Sequence, residues 1–319
     1  MAPLIRKIAI LVLAISTSAF GQDCPPPRCF DGVIKVIVPF APGGSTDIVA
    51  RRWAEQLSLS LSQQVVVENR GGAGGVLGAD YVARSPADSR TILVSNQGPI
   101  AISPSVLRKM PFDPSKDLIP SVQIAQAPQA IVVRSDSNIT DLRALARKSG
   151  GATYGTSGAG SIGHLLGLQL AGSPGASLTH VPYRGSAAAL IDLAGGQVDA
   201  VIVELGNVDL RSGRYRALAV TGQQRTSAAP SVPTFAELGF EGLNSGWVGA
   251  FFPAGTPSSV VSRLNTETRK ILQDPAFRVA LETAGLQPGS LGTTAFAALI
   301  QQETARFQRA AAQQNFKLD

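Results

Sequence analysis

Cysteine, histidine and aromatic residues are what this 319-residue chain has least of, and each shortage removes a class of function. Only His164 and His180 can supply imidazole, and the two cysteines, Cys24 and Cys29, sit together near the N-terminus. Zinc binding and cysteine catalysis are therefore not expected, and no metal site is assigned. Aromatic residues make up 6% of the chain, leaving little for base stacking, and the positive residues are scattered rather than gathered into a stripe. A nucleic-acid binder normally shows a concentrated basic footprint. Beyond the N-terminal segment no apolar run approaches the roughly 20 residues that a membrane helix needs. Internal repeats, low-complexity linkers and coiled-coil heptads are also missing.

What is present begins with an export signal. Arg6 and Lys7 precede an apolar stretch over 8–19, too short to span a bilayer, which runs into the small-residue exit Ala19-Phe20-Gly21. A buried N-terminal helix is the alternative, but a charged start, an apolar run and a small-residue exit together mark a signal peptide. Residues 1–21 are so assigned, with cleavage near Gly21/Gln22 and a periplasmic location for the remainder. Gly21-Gln22-Asp23-Cys24 is a poor lipobox. In an oxidising compartment Cys24 and Cys29 are expected to form a local disulfide, two free thiols in a tail being the alternative. The net charge of +6 falls to +4 once Arg6 and Lys7 are removed, a mild positive field suited to small anions.

The body of the chain alternates between strand and helix. Strands are predicted near 33–38, 65–68, 91–95, 130–133, 153–154, 178–181, 200–203 and 216–221. Helices are predicted over 46–61, 76–84, 141–148, 162–171 and 186–194. Such alternation argues an α/β fold with mostly parallel sheets covered by helices. After the apolar run 247–252 the chain reads as helix over 257–272, 275–284 and 293–315, a C-terminal helical brace returning to the first lobe. The expected division is lobe 1 from 22–128 and 223–319, and lobe 2 from 129–222. Crossings are placed near Ala127-Pro128 and Ala229-Pro230.

Three glycine-rich loops follow predicted strands and precede helices. The first contains Gly43-Gly44-Ser45-Thr46-Asp47, and the third runs Ser157-Gly158-Ala159-Gly160-Ser161. A helix N-terminus presents free N–H groups and partial positive charge, which makes it an anion site. Taken singly, each loop reads equally as a capped strand-to-helix turn, with Asp47 satisfying backbone donors. Two such loops, one in each half of the chain and both at the carboxyl ends of strands, suit a cleft between lobes. The second loop, Arg70-Gly71-Gly72-Ala73-Gly74-Gly75, reads as structural, with Arg70 solvated or paired to Glu68.

Two enzyme readings compete. Gly158-Ala159-Gly160-Ser161-Ile162-Gly163 spells a dinucleotide fingerprint, but the next strand ends Pro182-Tyr183-Arg184, without the acid that holds a ribose. Gly155-Thr156-Ser157-Gly158-Ala159 falls one residue short of a nucleophile elbow, and neither histidine has an acidic sequence neighbour. No catalytic residue and no cofactor are assigned.

At these loops the chain resembles the solute receptors of tripartite tricarboxylate transporters, the Bug or TctC proteins. The resemblance rests on Val38-Pro39-Phe40-Ala41-Pro42-Gly43-Gly44-Ser45-Thr46-Asp47, Val67-Glu68-Asn69-Arg70-Gly71-Gly72, Ser157-Gly158-Ala159-Gly160-Ser161, His180-Val181-Pro182-Tyr183-Arg184-Gly185 and Pro253-Ala254-Gly255-Thr256-Pro257. It runs from about residue 34 to residue 319. It implies a two-lobed, Venus-flytrap, type II-like periplasmic binding protein, a small carboxylate ligand (a dicarboxylate, an amino acid or an aromatic acid), a membrane permease as partner, and a monomer. A loaded receptor that signals to a sensor without a permease is the alternative. The ligand is expected between the amides of Gly43, Gly44, Ser45 and Thr46 and those of Ser157, Gly158, Gly160 and Ser161. Asn96 and Gln97 would line its far end, and Phe40, His164, Tyr183 and Glu204 complete the candidate set. The chain departs from the family after Gly196-Gln197-Val198, where Val203-Glu204 replaces the expected aspartate-containing motif. An acid there favours a ligand with a donor or positive charge, and an ordinary solvated loop acid is the alternative.

Overall fold

A computed structural model describes residue 30, residues 32–240 and residues 243–313. The expected signal peptide and the expected Cys24–Cys29 pairing lie outside the described residues.

Continuous apolar runs become buried strands. In β1 (Ile34–Val38) four of five side chains are buried. Helix α1 (Ser45–Leu61) then lays Val49, Ala50, Trp53 and Leu57 on the sheet, a spacing that puts them on one helical face. The chain continues through β2 (Val65–Asn69), α2 (Val76–Ala83) and β3 (Thr91–Asn96). A π-turn over Gly98–Ile102, the short helices α3 (Ser103–Val106) and α4 (Pro114–Asp117), and the ten-residue strand β4 (Leu118–Ala127) follow. Without any loop, Pro128 hands the chain to β5 (Gln129–Arg134). Then come α5 (Leu142–Ala146), β6 (Ala152–Thr156), α6 (Ile162–Ala171), β7 (Leu178–Pro182), α7 (Ser186–Ala194), β8 (Ala200–Glu204) and β9 (Tyr215–Val220). After a long irregular segment the chain finishes with β10 (Gly246–Pro253), α8 (Ser258–Ile271), α9 (Pro275–Thr283), the two-residue β11 (Gln287–Pro288) and α10 (Thr293–Gln313).

The strands form two sheets, ordered β11-β4-β10-β3-β1-β2 and β7-β6-β8-β5-β9. Both are mixed, with more antiparallel pairing than the strand–helix alternation suggested. The β1–β2, β1–β3, β6–β7 and β6–β8 pairs are parallel, as crossover helices require. Strands β10 and β5 arrive by crossing from the other sheet and pair antiparallel to their neighbours.

Strand β4 was not predicted, because Pro120, Ser121 and Gln123 interrupt its apolar pattern. The structure satisfies each of them. The register with β10 shifts beside Pro120, and β11 reaches only Ala125 and Gln126, so no ladder bond is asked of the proline on that side. The Ser121 hydroxyl donates to the Val261 carbonyl at 3.2 Å, and the Gln123 side-chain carbonyl accepts from the Ser290 N–H at 3.2 Å.

The return crossing also differs from expectation. Ala229, Val232, Phe235 and Leu243 pack into the cores on the two faces of the second sheet. The segment after β9 therefore stays with that sheet, and the chain rejoins the first at Gly246 instead of near Ala229-Pro230. The two crossings are tied together: the Gln129 N–H donates to the Thr221 hydroxyl at 2.8 Å, and the Ser245 hydroxyl donates to the Thr221 carbonyl at 3.1 Å.

Candidate functional site

Between the two sheets lies a cavity of about 770 Å³. Its walls come from both halves of the chain. The first contributes Phe40 and Ser45, Ala73 and Gly74, and Asn96 and Gln97; the second contributes residues 157–162, Ser186, Ile202, Val203, Glu204 and Asn207. The crossing strands supply Ala127, Gln129 and Gly246 to Val248 as its floor.

The first loop divides its labour. Asp47 is buried, and its carboxylate accepts from the Gly43 N–H at 2.9 Å, Arg51 Nε at 3.0 Å and Asn69 Nδ2 at 2.8 Å. Burial works against the Asp47 charge, but the bonds from Arg51, Gly43 and Asn69 outweigh it and hold the carboxyl below its usual range. Asp47 thus ties Gly43, Arg51 and Asn69 together. Gly43 commits its N–H to that carboxylate and, like Gly44 and the buried Thr46, does not line the cavity. Gly44 caps α1 without any side-chain bond, and Ser45 is the side chain of this loop that faces the ligand space together with Phe40.

The third loop is more self-contained than expected. Gly158 and Gly160 adopt φ of 138° and 75°, values open chiefly to glycine. Within this turn the Gly158 N–H donates to the Thr156 hydroxyl at 3.2 Å, the Gly160 N–H to His164 Nδ1 at 3.1 Å, and the Ser161 N–H to the Gly158 carbonyl at 3.2 Å. Ser161 is the N-cap of α6, its hydroxyl accepting from the His164 N–H at 3.2 Å. Its O–H proton stays available to a ligand, because a capping hydroxyl accepts with a lone pair.

Asn96 and Gln97 line the cavity with their side-chain oxygens already engaged. The Asn96 side-chain carbonyl accepts from the Gly98 N–H at 2.9 Å, and that of Gln97 from the Trp247 N–H at 2.8 Å. Their NH₂ groups are left uncommitted. Glu204, at the end of β8, accepts from the Ser45 hydroxyl at 3.3 Å, so a side chain of each sheet meets across the space. Burial pushes its carboxyl above the usual range, and the Ser45 bond offsets this only in part.

His164 and Tyr183 do not line the cavity. Tyr183 donates its hydroxyl to Asp192 at 2.8 Å. His164 stacks on His180 with ring centroids 3.8 Å apart and planes 14° from parallel, and His180 Nε2 lies 2.7 Å from the Thr156 hydroxyl. In the second loop Arg70 pairs with Glu68 at 3.3 Å and lies over the Tyr81 ring, as a structural reading requires. A Cβ on Gly75 would meet the Phe40 ring at 2.9 Å, so this glycine lets Phe40 seat at the cavity edge. Ala73 and Gly74 nonetheless reach the wall, as do Ser103, Gln129, Ser186, Asn207 and Trp247, none of which was a candidate.

A sequence model of the tripartite tricarboxylate transporter family receptor matches residues 49–316. The chain belongs to this family. Protein BugT of Bordetella pertussis is 36% identical over 291 residues, 89% of each chain. Among solved structures, R. palustris Rpa4515 with adipate superposes with a TM-score of 0.76 at 34% identity, covering 90% of this chain and 98% of that one. MatC (Rpa3494) from Rhodopseudomonas palustris with bound malate gives 0.71 at 30% identity, covering 87% and 98%. The fold is the two-lobed periplasmic-binding-protein fold expected from the sequence.

In this family member the stacked histidines give the third loop an acid weakness. Burial lowers the pKa of His164, and burial together with His164 lowers that of His180 to about 4. His180 stays neutral in the fold well below the value near 6.5 at which an unfolded histidine titrates, and His164 is shifted in the same direction. The unfolded chain therefore binds more protons between those values, and the stability from neutral histidines is complete above pH 6.5 and lost as the pH falls toward 4. Melting curves between pH 7 and pH 4 should show Tm falling further for the wild type than for His180→Phe, which keeps a ring but cannot titrate, by about 5 °C. Equal losses would show that the stack does not control the acid limb.

Proposed function

We propose that this receptor captures a small carboxylate in the periplasm, as a monomer, and presents it to a permease of the tripartite tricarboxylate type. The observation that carries the reading is the cavity itself, in which the loops opening α1 and α6 face one another from different sheets. The Ser45 amide, the hydroxyls of Ser157 and Ser161, and the NH₂ groups of Asn96 and Gln97 supply donors around the cavity. Hydrogen bonds to a charged group are typically worth about 1.5–3 kcal/mol each, so several offset the desolvation of one carboxylate. The lobes close because a ligand that touches both binds the closed state better than the open one. The adipate and malate held by the two solved neighbours agree with this ligand class.

A thermal-shift screen of the purified protein, unfolded and refolded to strip any bound ligand, tests the proposal. The panel holds dicarboxylates, tricarboxylates, amino acids, aromatic acids and nicotinamide nucleotides. A ligand at a hundredfold over its Kd stabilises the fold by about 2.7 kcal/mol. Stabilisation by a carboxylate class supports the receptor, whereas stabilisation by the nucleotides alone would return the assignment to a cofactor enzyme.

A further inference from the structure

Glu204 is the only charged side chain among the described residues that line the cavity. Its position is set by the backbone. Strand β8 pairs Glu204 with Gln129 of β5, and the Leu205 N–H donates to the Pro128 carbonyl at 2.8 Å, which anchors the strand end beside the first crossing. The ion pairs of the described residues do not include Glu204. The bond that it receives comes from the neutral Ser45 hydroxyl. A half-buried carboxyl in that setting is poorly solvated, and the loss of water raises it toward its protonated form.

This has a consequence for the ligand. The helix N-termini and amide donors suit one carboxylate, but a second carboxylate reaching Glu204 either sets two like charges together in a space that partly excludes water or requires Glu204 to take up a proton. A cationic nitrogen there does the opposite: it pairs the half-buried acid and satisfies the carboxylate oxygens that Ser45 leaves over. Building on the receptor reading above, we infer that Glu204 receives an N–H cation of the ligand, so that the site takes a zwitterion, a carboxylate with an ammonium group beside it, over the corresponding acid without nitrogen.

Isothermal titration calorimetry on the wild type and on Glu204→Gln tests this with matched probes: L-aspartate against succinate, L-glutamate against glutarate, and L-leucine against 4-methylpentanoate. Glutamine has the same shape and still accepts from Ser45, so the fold is kept, and Glu204→Asp restores the charge as a control. In at least one pair the amino acid should bind the wild type at least tenfold more tightly than its partner. Glu204→Gln should lose at least tenfold for that amino acid while the nitrogen-free acid is unchanged or gains, and Glu204→Asp should recover part of the preference. If the nitrogen-free acids bind as well or better and Glu204→Gln does not weaken the amino acids, the inference is overturned while the carboxylate receptor stands. If the wild type binds neither member of any pair, nor any acid in the thermal screen, the receptor reading itself falls.

Discussion

Replacing Ser45 with leucine is expected to weaken ligand binding at least about 100-fold, equivalent to ~2.7 kcal/mol, while Tm moves by no more than about 3 °C. The reason is geometric. The Ser45 hydroxyl lies 3.3 Å from a Glu204 oxygen across the cavity, so the walls from the two halves of the chain meet here. A branched apolar side chain there fills the cavity, removes the hydroxyl that donates to Glu204 and shields the first amides of α1. Helix α1 loses little, because its N-cap is Gly44 and no capping bond comes from Ser45. Ser161 would give a less clean result: its hydroxyl caps α6, and removal of such a cap typically costs about 1 kcal/mol, mixing stability with binding. Titration of Ser45→Leu with a carboxylate that shifts the wild type decides the matter. Undiminished affinity would place the ligand elsewhere.

Local signals in the sequence were strong where one segment makes both the element and the site. Helices α6 and α7 begin and end where they were predicted, because apolar residues run between a serine at each start and a glycine at each end. The glycine loops announced the cavity mouth for the same reason. Glu204 stood out as a departure from the family motif, and the structure brings it to the cavity wall opposite Ser45. What was not legible depends on distant partners. The polar side chains of β4 are buried only because α8 and the turn before α10 supply their bonds. The commitment of the Gly43 and Gly160 amides to Asp47 and His164 follows from side-chain direction, which spacing does not reveal. Gln129 and Trp247 reach the site because they flank the crossings, and nothing in their own neighbourhoods marks them.

Trp247 leads to the second large effect, since it links the cavity wall to the C-terminal helix. Its indole N–H donates to Glu303 of α10 at 2.7 Å, and its ring meets Phe296 edge-on with centroids 4.9 Å apart. Glu303 is 3% exposed and lies 3.6 Å from Arg306, a separation at which the guanidinium nitrogens make no hydrogen bond. Burial drives both groups toward neutrality, raising the Glu303 carboxyl and lowering Arg306, with their mutual attraction acting in opposition. Glu303→Leu leaves the indole N–H without its acceptor and the Arg306 charge without its partner. Breaking a buried pair on one side is strongly destabilising, typically by about 3–5 kcal/mol, whereas replacing both partners by apolar groups is often neutral or better. Denaturant unfolding should therefore place Glu303→Leu about 3–5 kcal/mol below the wild type, with Glu303→Leu/Arg306→Leu recovering most of that loss. Because Trp247 lines the cavity, the single variant should also bind a wild-type ligand more weakly, and the double variant should recover stability more fully than affinity, since the indole still lacks its acceptor. A loss below about 1 kcal/mol for Glu303→Leu would mean that α10 is held by its apolar face alone and that the pair does not brace the site.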